Sequence, residues 1–120
     1  MAEKSRLRRS ISRWASSSDQ HARELRRTST EAGEDSVAAC EDRCRVHVRG
    51  TLRTVTLRPR GGVPALEAEL YDGSGAITII WLGRRRIVGI DPGVSIAVEG
   101  RVGIHDGQRV IFNPRYQLLP

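Results

Sequence analysis

The groups in this chain best equipped to do chemistry are guanidiniums. Of its 20 Lys and Arg residues 19 are Arg, set against 14 Asp and Glu, for a formal net charge of +6. Arginine stays charged at any ordinary pH and can fork two N–H bonds onto a phosphate, so its surplus points to a solvated polyanion as partner. A high-GC codon bias explains the choice of Arg over Lys equally well, but not the excess of positive charge. The densest run is Arg84-Arg85-Arg86, directly after a hydrophobic stretch that ends Trp81-Leu82-Gly83. Arg53, Arg58, Arg60, Arg109 and Arg115 add charge along the C-terminal part, and Tyr71 and Tyr116 are rings on which a base could stack. These residues are the candidate binding site.

Other chemistries fail on spacing. Cys40 and Cys44 lie four apart with His47 nearby, but there is no second cysteine pair, and only His21, His47 and His105 remain toward the four ligands of structural zinc. No metal and no other cofactor is expected, and a reducing compartment leaves both cysteines as thiols. Lys4 is the only lysine, so no Gly-rich phosphate loop with its lysine exists, and no Ser-His-Asp arrangement is evident. Glu67 and Glu69, two apart on one strand face, read as surface charge. The chain is therefore not expected to be an enzyme.

The elements that must position the arginines begin at Cys44. Residues 1–43 form a charged N-terminal tail, helical or disordered, and 44–120 form the domain. Within the tail, Leu7, Ile11 and Trp14 fall on one stripe of a basic amphipathic helix, whereas the Ser16-Ser17-Ser18 run suits an Arg-rich arm that orders only on a polyanion, or a solvated tail. From 19 to 43 the balance turns acidic. Asp19 can cap a short helix through Arg27, a further turn can run from Asp35 to Cys40, and the stretch otherwise reads as a solvated linker.

From Arg45 to Arg58 the chain alternates with period two as one long strand, with Gly50 placed for a bulge. Pro59 to Pro64 is a loop. Ala65 to Tyr71 alternates again, Leu66, Ala68 and Leu70 to one side and Glu67, Glu69 and Tyr71 to the other. The Asp72-Gly73-Ser74-Gly75 turn leads into Ala76 to Leu82, apolar on both faces and hence central or offered to a partner. A short helix or irregular crossover follows, then a strand from Val94 to Val102, a turn at His105 to Gln108, and a strand from Arg109 to Leu118 broken by Asn113-Pro114. By parity Trp81 faces the core, and Phe112 is expected to fill the barrel.

Five strands with a crossover after the third and a bent first strand describe an all-β OB-fold, a five-stranded Greek-key barrel. The runs VRGTLRTV, LYDGSGAITIIW, GIDPGVSIAVEGRV and VIFNPRYQLL resemble OB-fold nucleic-acid-binding domains of the anticodon-binding and helicase-wedge type. With its WLGRRRI segment and charged tail, the whole chain is similar to small stand-alone actinobacterial OB-fold proteins. The resemblance implies a ligand on the face of strands two and three, flanked by Arg58 to Pro64 and Ile104 to Gln108. It implies a nucleic-acid partner, single-stranded DNA or RNA, held with little sequence preference.

Glu67 and Glu69 would repel phosphate there unless paired, and an antiparallel register can set Glu69 against Arg53. The rival expectation is an OB module that docks a protein or a second copy through its apolar third strand and the acidic linker. No apolar run approaches the roughly 18 residues of a bilayer span, and no apolar signal core follows the basic N-terminus. A cytoplasmic protein without a membrane partner is expected.

Overall fold

The computed structural model describes residues 19–28 and 33–120; the expectations for the basic arm at 1–18 lie outside them. Six strands form one sheet: β1 (Arg45–Leu57), β2 (Ala65–Tyr71), β3 (Ala76–Leu82), β4 (Ser95–His105), β5 (Gln108–Phe112) and β6 (Arg115–Leu118). β1 pairs with β2, β2 with β3, β3 with β5 and β5 with β4, and β4 returns to β1, so five strands close a ring. This is the barrel expected of an OB-fold.

The last expected strand divides in two. Asn113 takes φ +50° and proline offers no ladder N–H, so the chain kinks and β6 pairs with β4 alone. Between β3 and β4 there is no helix. The irregular crossover is the alternative realised, and its Ile87 and Ile90 are buried in the core.

Alternation decides what faces inward. Leu66, Ala68 and Leu70 of β2 and Ile77, Ile79 and Trp81 of β3 line the interior. Ile80 is also buried, but outside the barrel, against Ala65 and Val110. That second contact is why β3 is apolar on both faces.

β1 changes partner halfway, with Thr51 opposite both Ser95 of β4 and Tyr71 of β2. The bulge expected at Gly50 falls instead at Arg53, where the register with β2 slips between Leu52 and Thr54. Gly50 serves a different need: a Cβ there would lie 2.3 Å from the Tyr71 carbonyl oxygen. Only glycine lets the two backbones approach so closely.

Ahead of the barrel come a helix over 19–28 and a 3-10 turn, Val37–Ala39. The segment 33–43, which the sequence suggests is a solvated linker, packs onto the barrel: Val37 and Cys40 belong to the same core cluster as β1 to β5. Asp72 explains this. Wholly buried, it accepts hydrogen bonds from Arg26 Nη1 (2.9 Å), the Val37 N–H (2.9 Å), the Ser74 N–H (2.9 Å) and hydroxyl (2.6 Å), and the Gly75 N–H (3.1 Å). A carboxylate is tolerated at such depth only when its acceptor capacity is filled. One side chain thus fixes its own turn, the 3-10 turn and the helix together. Gly73, at φ +91°, completes the contact, since a Cβ there would meet the Ala22 carbonyl oxygen at 2.2 Å.

Asp72→Ala leaves buried donors unpaired and is expected to cost about 3 kcal/mol or more in urea unfolding. A loss under about 1 kcal/mol would show that the carboxylate adds no net stability. Gly50→Ala is expected to destabilise by a similar amount, about 2 to 3 kcal/mol, because its obstacle is backbone and cannot rotate away.

Candidate functional site

The outward side chains of β1, β2, β3 and β5 stand in rows set by the register. Thr54, Glu69 and Thr78 share one row, and Thr56, Glu67, Ile80 and Phe112 the next. Between them, Thr56, Arg58, Glu67, Glu69, Thr78 and Gln108 border a shallow cleft of about 330 Å³.

Two arginines cross this face, each on an aromatic ring and each toward an acid. The bulge lays Arg53 over Tyr71, with Cζ 3.5 Å from the ring centroid and Nη1 3.5 Å from Glu69 Oε1. Arg60 reaches back from the loop after β1, with Cζ 5.7 Å from the Phe112 centroid and Nη2 3.9 Å from Glu67 Oε2. Exposed pairs of this kind contribute about 0 to 1 kcal/mol to stability. Their larger effect is electrostatic: both carboxylates that would repel a phosphate already face a cation.

Phe112 is therefore not barrel filling. β5 turns Ile111 inward, which sends Val110 and Phe112 outward, and Phe112 is 38% exposed with His105 edge-on at 5.8 Å. Three consecutive apolar residues conceal that parity in the sequence; only the pairing of Phe112 with Ile80 reveals it.

At the far end of this face two charged segments meet. The loop carrying Arg58 and Arg60 is pinned to the end of β3 by a hydrogen bond from the Gly83 N–H to the Pro64 carbonyl, 2.7 Å. Arg84, Arg85 and Arg86 leave the barrel from that point. They and Arg58 are exposed, and among the described residues none of the four guanidiniums has an ionic or hydrogen-bonding partner.

The other candidates lie elsewhere. β5 runs parallel to β3, so its start sits at the Asp72 end; there Arg109 donates from Nε to the Cys40 carbonyl (3.0 Å) and from Nη2 to the Ala38 carbonyl (3.1 Å). It ties the 3-10 turn to the barrel. Arg115 lies opposite Glu99, away from β2 and β3, and Tyr116 packs edge-on to Trp81 with centroids 5.7 Å apart. Trp81 is a core residue, as its parity implies, 5% exposed.

Among the described residues no group of three or more His, Cys, Asp or Glu is placed to hold a metal ion, and no helix is long and apolar enough to cross a membrane. Cys40 is buried, its Sγ 3.3 Å from the Ser36 carbonyl, while Cys44 is exposed. Burial, reinforced by the negative charge of Asp35, pushes the Cys40 thiol above its usual pKa.

No family model and no curated protein matches this chain. Among solved structures it is similar to RecG bound to a three-way DNA junction, with a TM-score of 0.53 and 21% identity over 66% of this chain. The match spans 11% of the RecG chain, and the likeness is one of fold.

The cysteine environments set an expected order of reaction. In the native protein iodoacetamide should alkylate Cys44, with Cys40 at least about tenfold slower because it is both covered and poor in thiolate; unfolding should equalise them. Equal native rates, read by peptide mass, would contradict the packed position of 33–43.

Proposed function

We infer that this chain binds nucleic acid without catalysis, and that its ligand is single-stranded DNA or RNA. The strand crosses the outer face of β2 and β3 toward the loop end of the barrel. The observation that carries this reading is the junction of the Arg58 loop with the Arg84 to Arg86 segment at the Gly83 to Pro64 hydrogen bond. It brings four unpaired guanidiniums beside a face whose acids are already matched by Arg53 and Arg60. The fold's likeness to a protein solved with DNA agrees with it.

Roles follow from position. Arg58, Arg84, Arg85 and Arg86 contact phosphate oxygens, which carry no sequence information, so binding is of low specificity. Tyr71 and Phe112, each backed by an arginine, give bases a surface on which to stack, worth roughly 1 to 3 kcal/mol per ring. A second reading, a protein-docking module, draws on the exposure of Val88 (89%), Val63 (46%) and Leu82 (41%) near the same end.

One variant separates the two. Changing Arg84, Arg85 and Arg86 together to Glu should weaken oligonucleotide binding at least about tenfold with unchanged mass in solution; dissociation of an oligomer would support the docking module. With about four phosphate contacts, wild-type affinity for a short oligonucleotide should fall about fifty-fold between roughly 50 and 200 mM salt. No binding to DNA or RNA at low salt would overturn the proposal. Tyr71→Ala and Phe112→Ala should each weaken binding about tenfold while leaving the salt dependence nearly unchanged.

A further inference from the structure

One charged surface lies outside the proposed binding face. β4 stands two strands from β2 and two from β3 round the closed ring, so its outward side chains point away from the face just described. There Arg45 of β1 lies directly opposite Arg101 of β4, and one step along, His47 and Arg115 flank Glu99 from either side. All of these positions but Glu99, which is half-buried, are exposed.

Like charges directly opposite in an antiparallel pair destabilise it. Glu99 offsets only part of the charge: its Oε1 is 3.3 Å from Arg45 Nε. Glu34 engages His47 and the Asp35 carboxylate accepts the His47 N–H at 2.8 Å, so among the described residues both acids meet this group at the histidine and not at Arg101 or Arg115. Arg101 and Arg115 have no partner among the described residues. From strand spacing, their backbone positions are about 8 Å apart, with Arg45 about 5 Å beyond Arg101. A shallow cleft of about 190 Å³, bordered by His47, Glu99, Arg115 and Gln117, lies at the Arg115 end of this group. An extended anion with charges repeated at that interval matches three guanidiniums on three adjacent strands.

The geometry points to a second polyanion-binding surface on the outward side of β1, β4 and β6. It takes the sugar-phosphate backbone of a second nucleic-acid segment, by charge alone. The inference rests on the nucleic-acid reading of the opposite face, and it makes the barrel a bridge between two segments.

Bridging tests it. Full-length protein is loaded on a bead-bound single-stranded oligonucleotide, and capture of a second, fluorescent oligonucleotide is measured at low salt. Wild type should capture it. The Arg101→Glu/Arg115→Glu double variant should lose at least about tenfold of that capture, while its affinity for the first oligonucleotide falls less than about threefold. Should charge reversal disturb the fold, Arg101→Gln/Arg115→Gln should show the same loss in weaker form. Normal first binding without capture, or capture that both double variants retain, overturns the second surface and leaves the first intact. If the double variant loses all binding while the Arg84 to Arg86 variant binds normally, the first surface is refuted and the second stands as the binding site.

Discussion

A buried carboxylate holds this molecule together. Asp72 sits where β2 turns into β3, and its oxygens gather donors from three separate stretches of chain. In the low dielectric of the interior each donor is worth more than in water, and each would be costly to strand. The 3-10 turn could not be left out without exposing Val37 and abandoning its N–H. Arg109 adds two bonds to the carbonyls of the same turn from the barrel side. One end of the barrel is thereby sealed by polar contacts, and the loops with unmatched arginines collect at the other.

This division of labour among arginines is more informative than their number. Arg26 and Arg109 are structural, each spent on a fixed oxygen acceptor. Arg53 and Arg60 balance acids and lie over rings. Among the described residues Arg58 and Arg84 to Arg86 have no such employment, and neither do Arg101 and Arg115. Net charge cannot separate these groups, because a guanidinium facing a carbonyl counts the same as one facing solvent. Geometry does separate them, and it sets Arg58 and Arg84 to Arg86 at the loop end apart from Arg101 and Arg115 on the outward side of β4 and β6.

Much of the fold is legible in the chain. The bounds of β2 and β3 can be read to the residue because both abut a four-residue Asp-Gly-Ser-Gly turn, and in β2 period two fixes which side each residue takes. The Arg53 to Glu69 pair forms as expected but not by the expected register, since Glu69 lies opposite Thr54 and the bulge brings Arg53 beside it. Phe112 is not legible: its side depends on a parallel pairing with β3, more than thirty residues back, of which no local pattern carries a trace. Arg109 is misleading in the same way, since nothing near it in sequence announces the carbonyls of Ala38 and Cys40. The bulge at Arg53 lacks the glycine that usually advertises one, while Gly50 advertises a bulge and instead permits a close backbone crossing.

The ring is closed by very little. β3 and β5 meet in parallel over only three residue pairs, Thr78 with Val110 to Ile80 with Phe112, whereas the β1–β2 and β2–β3 ladders are antiparallel, longer and local. Joining distant segments costs loop entropy before any contact rewards it, and parallel pairing is slightly the weaker per residue. The three-stranded meander is the local part of the fold, and the β3–β5 seam, which also carries Phe112, is the shortest ladder of the ring. A strand of nucleic acid lying across that seam would act as a clasp, slowing the barrel's opening as well as occupying its surface.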